Sequence, residues 1–309
     1  MENILITGGT GSLGHALVQR LYGTCNITIF SRDETKQSKM KTIYPNCKYM
    51  LGDVSKLSDL ELALRNIDTV FHFAAYKQVP SAQNNALSTI ETNVTGSINV
   101  ARASIVAGVK QVVASSTDKA CQSVNLYGMS KALMEAVYQD MNKYGGTTFH
   151  LTRYGNVVSS NASVVPLFQK QAESGGPLTI THRDMTRFWL HIQTAVDLIL
   201  HALDVDPGII VVPKARALPI IDVAGLIGGV HLAVKEIGIR PGEKIHEAMI
   251  SEAESFHTED VATDIISGLK GLFYIHPPKT LYRNSNAPFS YTSDTCDQLS
   301  HDEFLSMVL

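Results

Sequence analysis

Tyr127 and Lys131 stand four residues apart in Y-G-M-S-K, at the start of a pattern that reads as a long helix running to about Tyr144. On a helix this spacing puts a phenol and an ammonium on one face, one turn apart. Such a pair abstracts protons: the positive charge favours phenolate and draws the tyrosine pKa down from about 10 toward neutrality. Just upstream, Ser115-Ser116-Thr117-Asp118-Lys119 ends an apolar run, Val109 to Ala114, that reads as a buried strand reaching its carboxyl end. There Thr117, Asp118 and Lys119 add a hydroxyl, an acid and a second amine, at the place where open α/β sheets hold their ligands. Singly, Tyr-x-x-x-Lys recurs by chance in helices and Asp-Lys is ordinary on a solvated loop. Both follow a buried strand in a chain that opens with a glycine-rich loop, so Thr117, Asp118, Lys119, Tyr127 and Lys131 form the candidate catalytic set.

The elements that must position this set alternate along the chain. Asn3 to Thr7 fits a central parallel strand, and Gly8-Gly9-Thr10-Gly11-Ser12-Leu13-Gly14 leads from it into a helical pattern through Leu21. Glycines at 8, 11 and 14 let the backbone turn tightly and approach a pyrophosphate, which the helix N–H groups face. Gly8, Gly11, Ser12, Leu13 and Gly14 are therefore assigned to a dinucleotide. The second strand, Asn26 to Phe30, ends in Ser31-Arg32-Asp33. An acid here would hold the ribose hydroxyl of NAD, whereas an arginine would pair with the extra phosphate of NADP. Ser31 and Arg32, with Lys36 one turn on, favour NADP; NAD stays open, and Asp33 also reads as a helix N-cap.

Lys48 to Leu51 is the third strand, and the Asp53-Val54 that follows lies near the adenine or in a turn. Asp68 to Phe73 is the fourth; after it Ala74 and Ala75 let a cofactor lie against the backbone, and Lys77 reaches a phosphate or the substrate. His72 reads as a satisfied core histidine. Asn84 to Gly108 is a long helical pattern with Thr92 and Asn93 toward the cofactor side, and Thr148 to Tyr154 is a sixth strand ending in Gly155-Asn156. This alternation predicts an α/β fold with a doubly wound parallel sheet. Arg240-Pro241-Gly242-Glu243-Lys244 is either a diphosphate clamp or a surface turn.

With 309 residues, 44% of them hydrophobic, the chain buries a substantial core as one large domain or two joined lobes. A net charge of −3 with interspersed signs leaves no basic footprint for nucleic acid and no polybasic membrane patch. Four scattered cysteines read as reduced thiols of a cytoplasmic protein, and the eleven histidines show no metal-ligand spacing. The N-terminus enters a strand at once, which leaves no room for a signal peptide. Leu218 to Val234, the most apolar long window, is interrupted by Pro219, Asp222 and His231 and reads as a strand end and packed helix.

T-G-G-T-G-S-L-G together with Tyr127-x-x-x-Lys131 resembles the extended short-chain dehydrogenase/reductases. S-R-D-E-T-K-Q (31–37), A-A-Y-K-Q-V-P (74–80), S-T-D-K-A (116–120) and N-L-Y-G (125–128) narrow the likeness. So do R-Y-G-N-V-V (153–158), S-V-V-P-L-F (163–168), M-T-R-F-W (185–189), V-P-K (212–214) and G-I-R-P-G-E-K-I-H-E-A-M-I (238–250). They are similar to the inverting UDP-N-acetylglucosamine 4,6-dehydratases of pseudaminic acid and capsule sugar biosynthesis. Asp118-Lys119, where retaining relatives carry Asp-Glu, points to the inverting branch. The resemblance implies NADP held by Gly11 to Gly14, Ser31 to Lys36, Asp53, Val54, Lys77, Thr92, Asn93, Tyr127 and Lys131. It also implies a nucleotide sugar held by Asn156, Arg240 and Glu243, and a homo-oligomer, either dimer or hexamer.

In the implied division, residues 1–165 bind NADP and 186–213 return to that domain, while 166–185 and 214–309 form a sugar-binding lobe. Tyr127 takes the C4 hydroxyl proton, with Thr117 hydrogen-bonded to that oxygen. Lys119 removes the C5 proton and so needs a depressed pKa; Asp118, held protonated, serves the departing C6 hydroxyl. Departures are Gln122-Ser123 for the usual Asn-Pro, Gln83 for a common glutamate, and Ser159 to Ala162 for a loop that usually carries an arginine. The alternatives are a nucleotide-sugar 4-epimerase, a retaining dehydratase and a non-catalytic NADP sensor.

Overall fold

The computed structural model describes residues 1–158, 160, 163–229, 231–262, 266, 268–278, 284 and 287–308. Ile4, Leu5, Ile6 and Thr7 of the first strand are all buried. A run with no solvent face needs cover on both sides, so it takes the middle of a parallel sheet. Six strands, β1 (Asn3–Thr7), β2 (Asn26–Ser31), β3 (Lys48–Leu51), β4 (Thr69–His72), β5 (Gln111–Ser115) and β6 (Thr148–Thr152), lie in the order 3-2-1-4-5-6. All are parallel to their neighbours. The chain leaves β1 in opposite directions toward β2 and β4, and the crevice at that switch point is where such sheets bind ligands.

The sheet continues past β6. Ile210–Pro213 adds a parallel strand, Leu272–Ile275 pairs antiparallel with it, and Thr258–Val261 closes the edge. The lobe boundary read from the sequence therefore needs correction, because Thr258–Val261 and Leu272–Ile275 join the large sheet. Leu272, Phe273 and Ile275 are buried, and their pairing covers an edge that would otherwise be left with open backbone groups.

A second core gathers Val165, Phe168, Leu178, Trp189, Val223 and Phe304 from the segments between and after these strands. Phe304, on the His301–Val308 helix, meets the Trp189 ring edge-on with centroids 5.1 Å apart. Arg216 fixes the same helix through both oxygens of Glu303, each at 2.8 Å.

The helical pattern expected from Asn84 to Gly108 is broken in the structure. Asn85 leaves helical geometry (φ −128°, ψ 59°), and Glu91–Thr95 forms a π-helical turn before the Gly96–Ala107 helix. The extra residue in that turn shifts the register and buries both Thr92 and Asn93. Among the described residues no helix is long and apolar enough to cross a membrane.

Replacing Phe304 with alanine should cost about 3–5 kcal/mol of unfolding free energy in urea titration. The cofactor loop belongs to the other core, so nucleotide affinity should hold. A variant as stable as the parent would show that Phe304 does not anchor the second core.

Candidate active site

The crevice is a cavity of about 1220 Å³ along the carboxyl ends of the strands. Gly8, with φ +67°, makes the turn out of β1, and a Cβ there would sit 2.7 Å from the Ala74 backbone nitrogen. At Gly14 a Cβ would meet the Gly9 backbone at 2.5 Å, so helix and loop pack only without a side chain. Gly8, Gly11, Ser12, Leu13 and Gly14 all line the cavity, and the Ser12–Leu21 helix carries no acid in its first turn. These residues fit a bound pyrophosphate: the glycines keep the loop backbone open to the cavity, and the first turn of the helix carries no acid to repel the anion.

Ser31, Arg32, Asp33 and Lys36 also border the cavity. Asp33 caps the Glu34–Ile43 helix by accepting from the Lys36 N–H at 2.9 Å, and its carboxylate pairs with the Lys36 ammonium at 3.1 Å. Arg32 lies over the Tyr76 ring at 5.5 Å and 3.4 Å from Asp53. Asp53, Val54, Ala74 and Lys77 line the wall, and burial draws the Lys77 pKa below its ordinary value. Thr92 lines it too, but Asn93 does not. Its amide instead clamps the Tyr76 backbone, accepting from N–H at 2.8 Å and donating to C=O at 3.0 Å and to Ser130 Oγ at 2.9 Å. Asn93 therefore shapes the cavity wall from behind.

Beyond β5 the chain stays pinned to the continuation of β6. Ser116 N–H donates to the Thr152 carbonyl at 2.6 Å, and Asp118 N–H to that of Tyr154 at 3.0 Å. Thr117 caps the short 3₁₀ turn Asp118–Ala120 and donates to Asp118 Oδ1 at 3.0 Å. Tyr127 arrives on the Leu126–Met141 helix, capped by Asn125, whose side chain accepts the Gly128 N–H at 2.8 Å. Turn and helix touch because residue 128 has no side chain; a Cβ there would lie 2.0 Å from the Lys119 carbonyl oxygen. Thr117, Lys119, Tyr127 and Lys131 all line the cavity.

Lys119 Nζ lies 3.0 Å from Asp118 Oδ1, 3.2 Å from Glu247 Oε1 and 3.5 Å from Asn156 Oδ1. Burial raises the Asp118 pKa, as a proton donor at neutral pH requires. Lys119 runs against expectation. Burial favours its neutral form, but Asp118 and Glu247 together outweigh this and hold the ammonium above its ordinary range. Tyr127 differs as well. Burial raises its pKa, opposed by Lys119 and the Thr117 hydrogen bond. Lys131 Nζ instead reaches Met134 Sδ at 3.3 Å, and burial lowers its own pKa to about 8 against the pull of Glu135.

Glu247 escaped the sequence reading; its only signal was its place in the H-E-A-M-I stretch. Arg153 was missed in the same way. Its buried guanidinium grips both Glu135 oxygens (3.0 and 2.7 Å), Glu254 Oε1 (2.8 Å) and the Met249 carbonyl (2.8 Å), tying the Leu126–Met141 helix to β6 and the later chain. Arg240 and Asn156 line the cavity, whereas Glu243 holds the Arg240 backbone N–H at 3.0 Å and lies off the wall. The 240–244 turn docks through Asn125 Nδ2 to the Gly242 carbonyl at 2.8 Å and Lys244 Nζ to that of Cys121 at 2.7 Å. Gln83 takes part by accepting the Leu126 N–H at 3.0 Å. Burial pushes the Cys121 thiol up to about 12, so it is an inert filler. The substituted loop at 161 lies outside the described residues. Among those described, no group of His, Cys, Asp and Glu is arranged to hold a metal.

A family model described as polysaccharide biosynthesis protein matches residues 4–267. The chain belongs to that family. As a polysaccharide biosynthesis protein it is 43% identical over 267 residues to a Campylobacter jejuni protein named UDP-N-acetylglucosamine 4,6-dehydratase (inverting), covering 83% of this chain and 80% of the relative. It is 40% identical over 275 residues to a Rickettsia bellii protein named UDP-glucose 4-epimerase, with 84% and 81% covered. Among solved structures, Pen from Bacillus thuringiensis is similar over 99% of this chain and 97% of its own, at 28% identity and a TM-score of 0.90. The fold is that of the extended short-chain dehydrogenase/reductases.

A methyl group at position 128 would drive the Leu126–Met141 helix off the Lys119 turn. Gly128→Ala should therefore cost about 1–3 kcal/mol in thermal or urea unfolding, and turnover should fall more steeply than stability. Parental activity in this variant would mean that the contact does not position the site.

Proposed function

We propose that this polysaccharide biosynthesis protein is a UDP-N-acetylglucosamine 4,6-dehydratase that uses NADP and inverts C5. The observation that carries the reading is the buried Asp118–Lys119 pair beside Thr117 and Tyr127 at the cavity wall. Gly8 to Gly14 would hold the pyrophosphate, Asp53 and Val54 the adenine end, and Arg32 with Lys36 the additional phosphate. Asn156 and Arg240 would hold the nucleotide sugar, with Glu243 fixing Arg240 and the second core acting as the sugar lobe. When bound, the nicotinamide would supply hydride acceptance at C4 and hydride return at C6.

The chain's own groups move the protons. Tyr127 Oη receives the C4 hydroxyl proton, helped against burial by the Lys119 charge. Thr117 orients the C4 oxygen. The resulting ketone acidifies C5–H, whose proton passes to Lys119 Nζ. Asp118, whose pKa burial raises, would deliver a proton to the C6 hydroxyl as water departs. Leu87 and Ile90 on one helix and Met129 and Leu133 on another are exposed apolar residues, which support a homo-oligomer.

Relatives named as 4-epimerases favour a second reading, in which the C4 ketone is reduced from the other face and C6 keeps its hydroxyl. Proton NMR of the product from UDP-N-acetylglucosamine separates the two. Dehydration yields a new C6 methyl doublet, whereas a gluco/galacto mixture without it would sink the dehydratase reading. Lys119→Met should slow C4 oxidation, because the Lys119 charge aids Tyr127, but lose far more, about 100- to 10,000-fold, in deoxy-sugar formation. Formation at the parental rate would remove Lys119 from its role. Arg32→Ala should weaken NADP by roughly 10- to 100-fold in titration while leaving NAD little changed. An equal loss for both cofactors would argue against the phosphate contact.

A further inference from the structure

Dehydration leaves one proton without a destination. Lys119 must meet C5 as an amine, yet it sits as an ammonium between two buried carboxyl groups. Asp118, on one side, needs its own proton for the C6 hydroxyl. Glu247, on the other, has a side chain 3% exposed and comes from a distant segment beside the Ala248–Ile250 strand. Its backbone N–H is anchored to Ser293 Oγ at 2.9 Å, so the carboxyl group is held in place. Oε1 faces Lys119 Nζ at 3.2 Å. Oε2 is buried with no hydrogen-bond partner among the described residues; Lys244 Nζ stands 3.8 Å away, beyond hydrogen-bond reach.

We propose that Glu247 is a positioning residue for the dehydration: it holds Lys119 Nζ at the cavity wall and takes its ammonium proton across the 3.2 Å contact, so that Lys119 acts as a neutral base. This rests on the dehydratase reading. In the transfer one Nζ–H bond breaks, its electron pair stays on nitrogen, and an Oε1–H bond forms. The C5 proton then goes to Nζ, the C5=C6 bond forms, and the C6–O bond breaks as Asp118 protonates the leaving oxygen. The three side chains start as acid, ammonium and carboxylate (Asp118, Lys119, Glu247) and finish as carboxylate, ammonium and acid. Their summed charge is zero at both ends, so elimination demands no change of net charge in a buried site.

The other neighbours cannot serve as the acceptor. Asn156 Oδ1, 3.5 Å from Lys119 Nζ, is an amide oxygen that accepts a hydrogen bond and not a proton, while Arg187 Nε and Lys244 Nζ, 3.9 and 3.8 Å from Glu247, are cationic donors that stabilise its carboxylate at rest. Tyr127 is committed to the C4 oxygen. Lys119, Arg187 and Lys244 keep Glu247 ionised against burial, so it carries no proton at rest and the transfer from Lys119 is an uphill step drawn forward by the elimination.

The test uses the full chain with its cofactor and compares Glu247→Gln, which is isosteric but cannot take a proton, with Glu247→Asp. C4 oxidation is followed in a single turnover by nicotinamide absorbance, and elimination by the C6 methyl signal. The Gln variant should keep C4 oxidation within about threefold and lose elimination about 100-fold at neutral pH. Its residual elimination should climb between about pH 7 and 9, because Lys119 must then lose its proton to solvent, until Asp118 ionises. The parent should stay flat over the climb, and the Asp variant should recover part of the rate. If the Gln variant does not fold, a parental pH profile in the Asp variant with its rate unchanged overturns the proposal. Near-parental elimination by the Gln variant overturns it, as does a parallel loss of oxidation and elimination without a change in pH profile. Failure of the dehydratase reading looks different: the parent itself then makes no methyl product.

Discussion

A lysine ammonium flanked by two buried carboxyl groups is the interaction on which this structure depends. Removing ions from water costs several kcal/mol each, and their mutual attraction offsets this only when the geometry is well held. Much of the surrounding architecture serves that geometry. The Asp118 backbone is fixed by the chain beyond β6, the Lys119 carbonyl abuts Gly128, and Glu247 is anchored through Ser293. The sheet supplies a rigid base, and the Leu126–Met141 helix and the 240–250 segment close on it from two sides.

A second buried network does the joining. Arg153 leaves the end of β6, meets Glu135 on the Leu126–Met141 helix and reaches Glu254 in the later chain. Glu254 also closes the capping box of its own short helix with Ser251, and its pairing with Arg153 holds its carboxyl near a pKa of about 2 despite burial. Three parts of the chain that approach the cavity from different directions are thus locked through one guanidinium. The fork of Arg153 is suited to this because its donors are planar and permanently charged. Lys119 relies on the reverse property: an ammonium whose proton can move.

Local patterns made most of the sheet legible. β1 and β3 fall on the residues that their apolar runs marked, and the other four core strands are displaced by only one or two residues at their ends. The cavity face of the site was readable for the same reason, since glycine spacing and Tyr-x-x-x-Lys encode geometry within one turn of helix or loop. What escaped depends on distant segments. The π turn at Glu91–Thr95 changes the helical register by one residue, which turned Asn93 from the cofactor side to a backbone clamp. The antiparallel edge strands needed knowledge of an open sheet edge that alternation alone does not reveal. The sign of the Lys119 shift was misread because Glu247, its second carboxylate neighbour, arrives from far along the chain.

Overall similarity alone does not separate dehydration from epimerisation, since relatives named for each are comparably identical to this chain. Both reactions begin with the same oxidation at C4, so that step does not tell them apart. They part at C6, where only dehydration requires an acid that stays protonated near neutral pH. Full burial shifts Asp118 in that direction and outweighs the pull of the adjacent ammonium. An epimerase must let its keto-sugar turn within the pocket, and it gains nothing from the unfavourable burial of an acid, an amine and a further carboxylate at the wall. That burial cost supports the proposed elimination more directly than any percentage of shared residues.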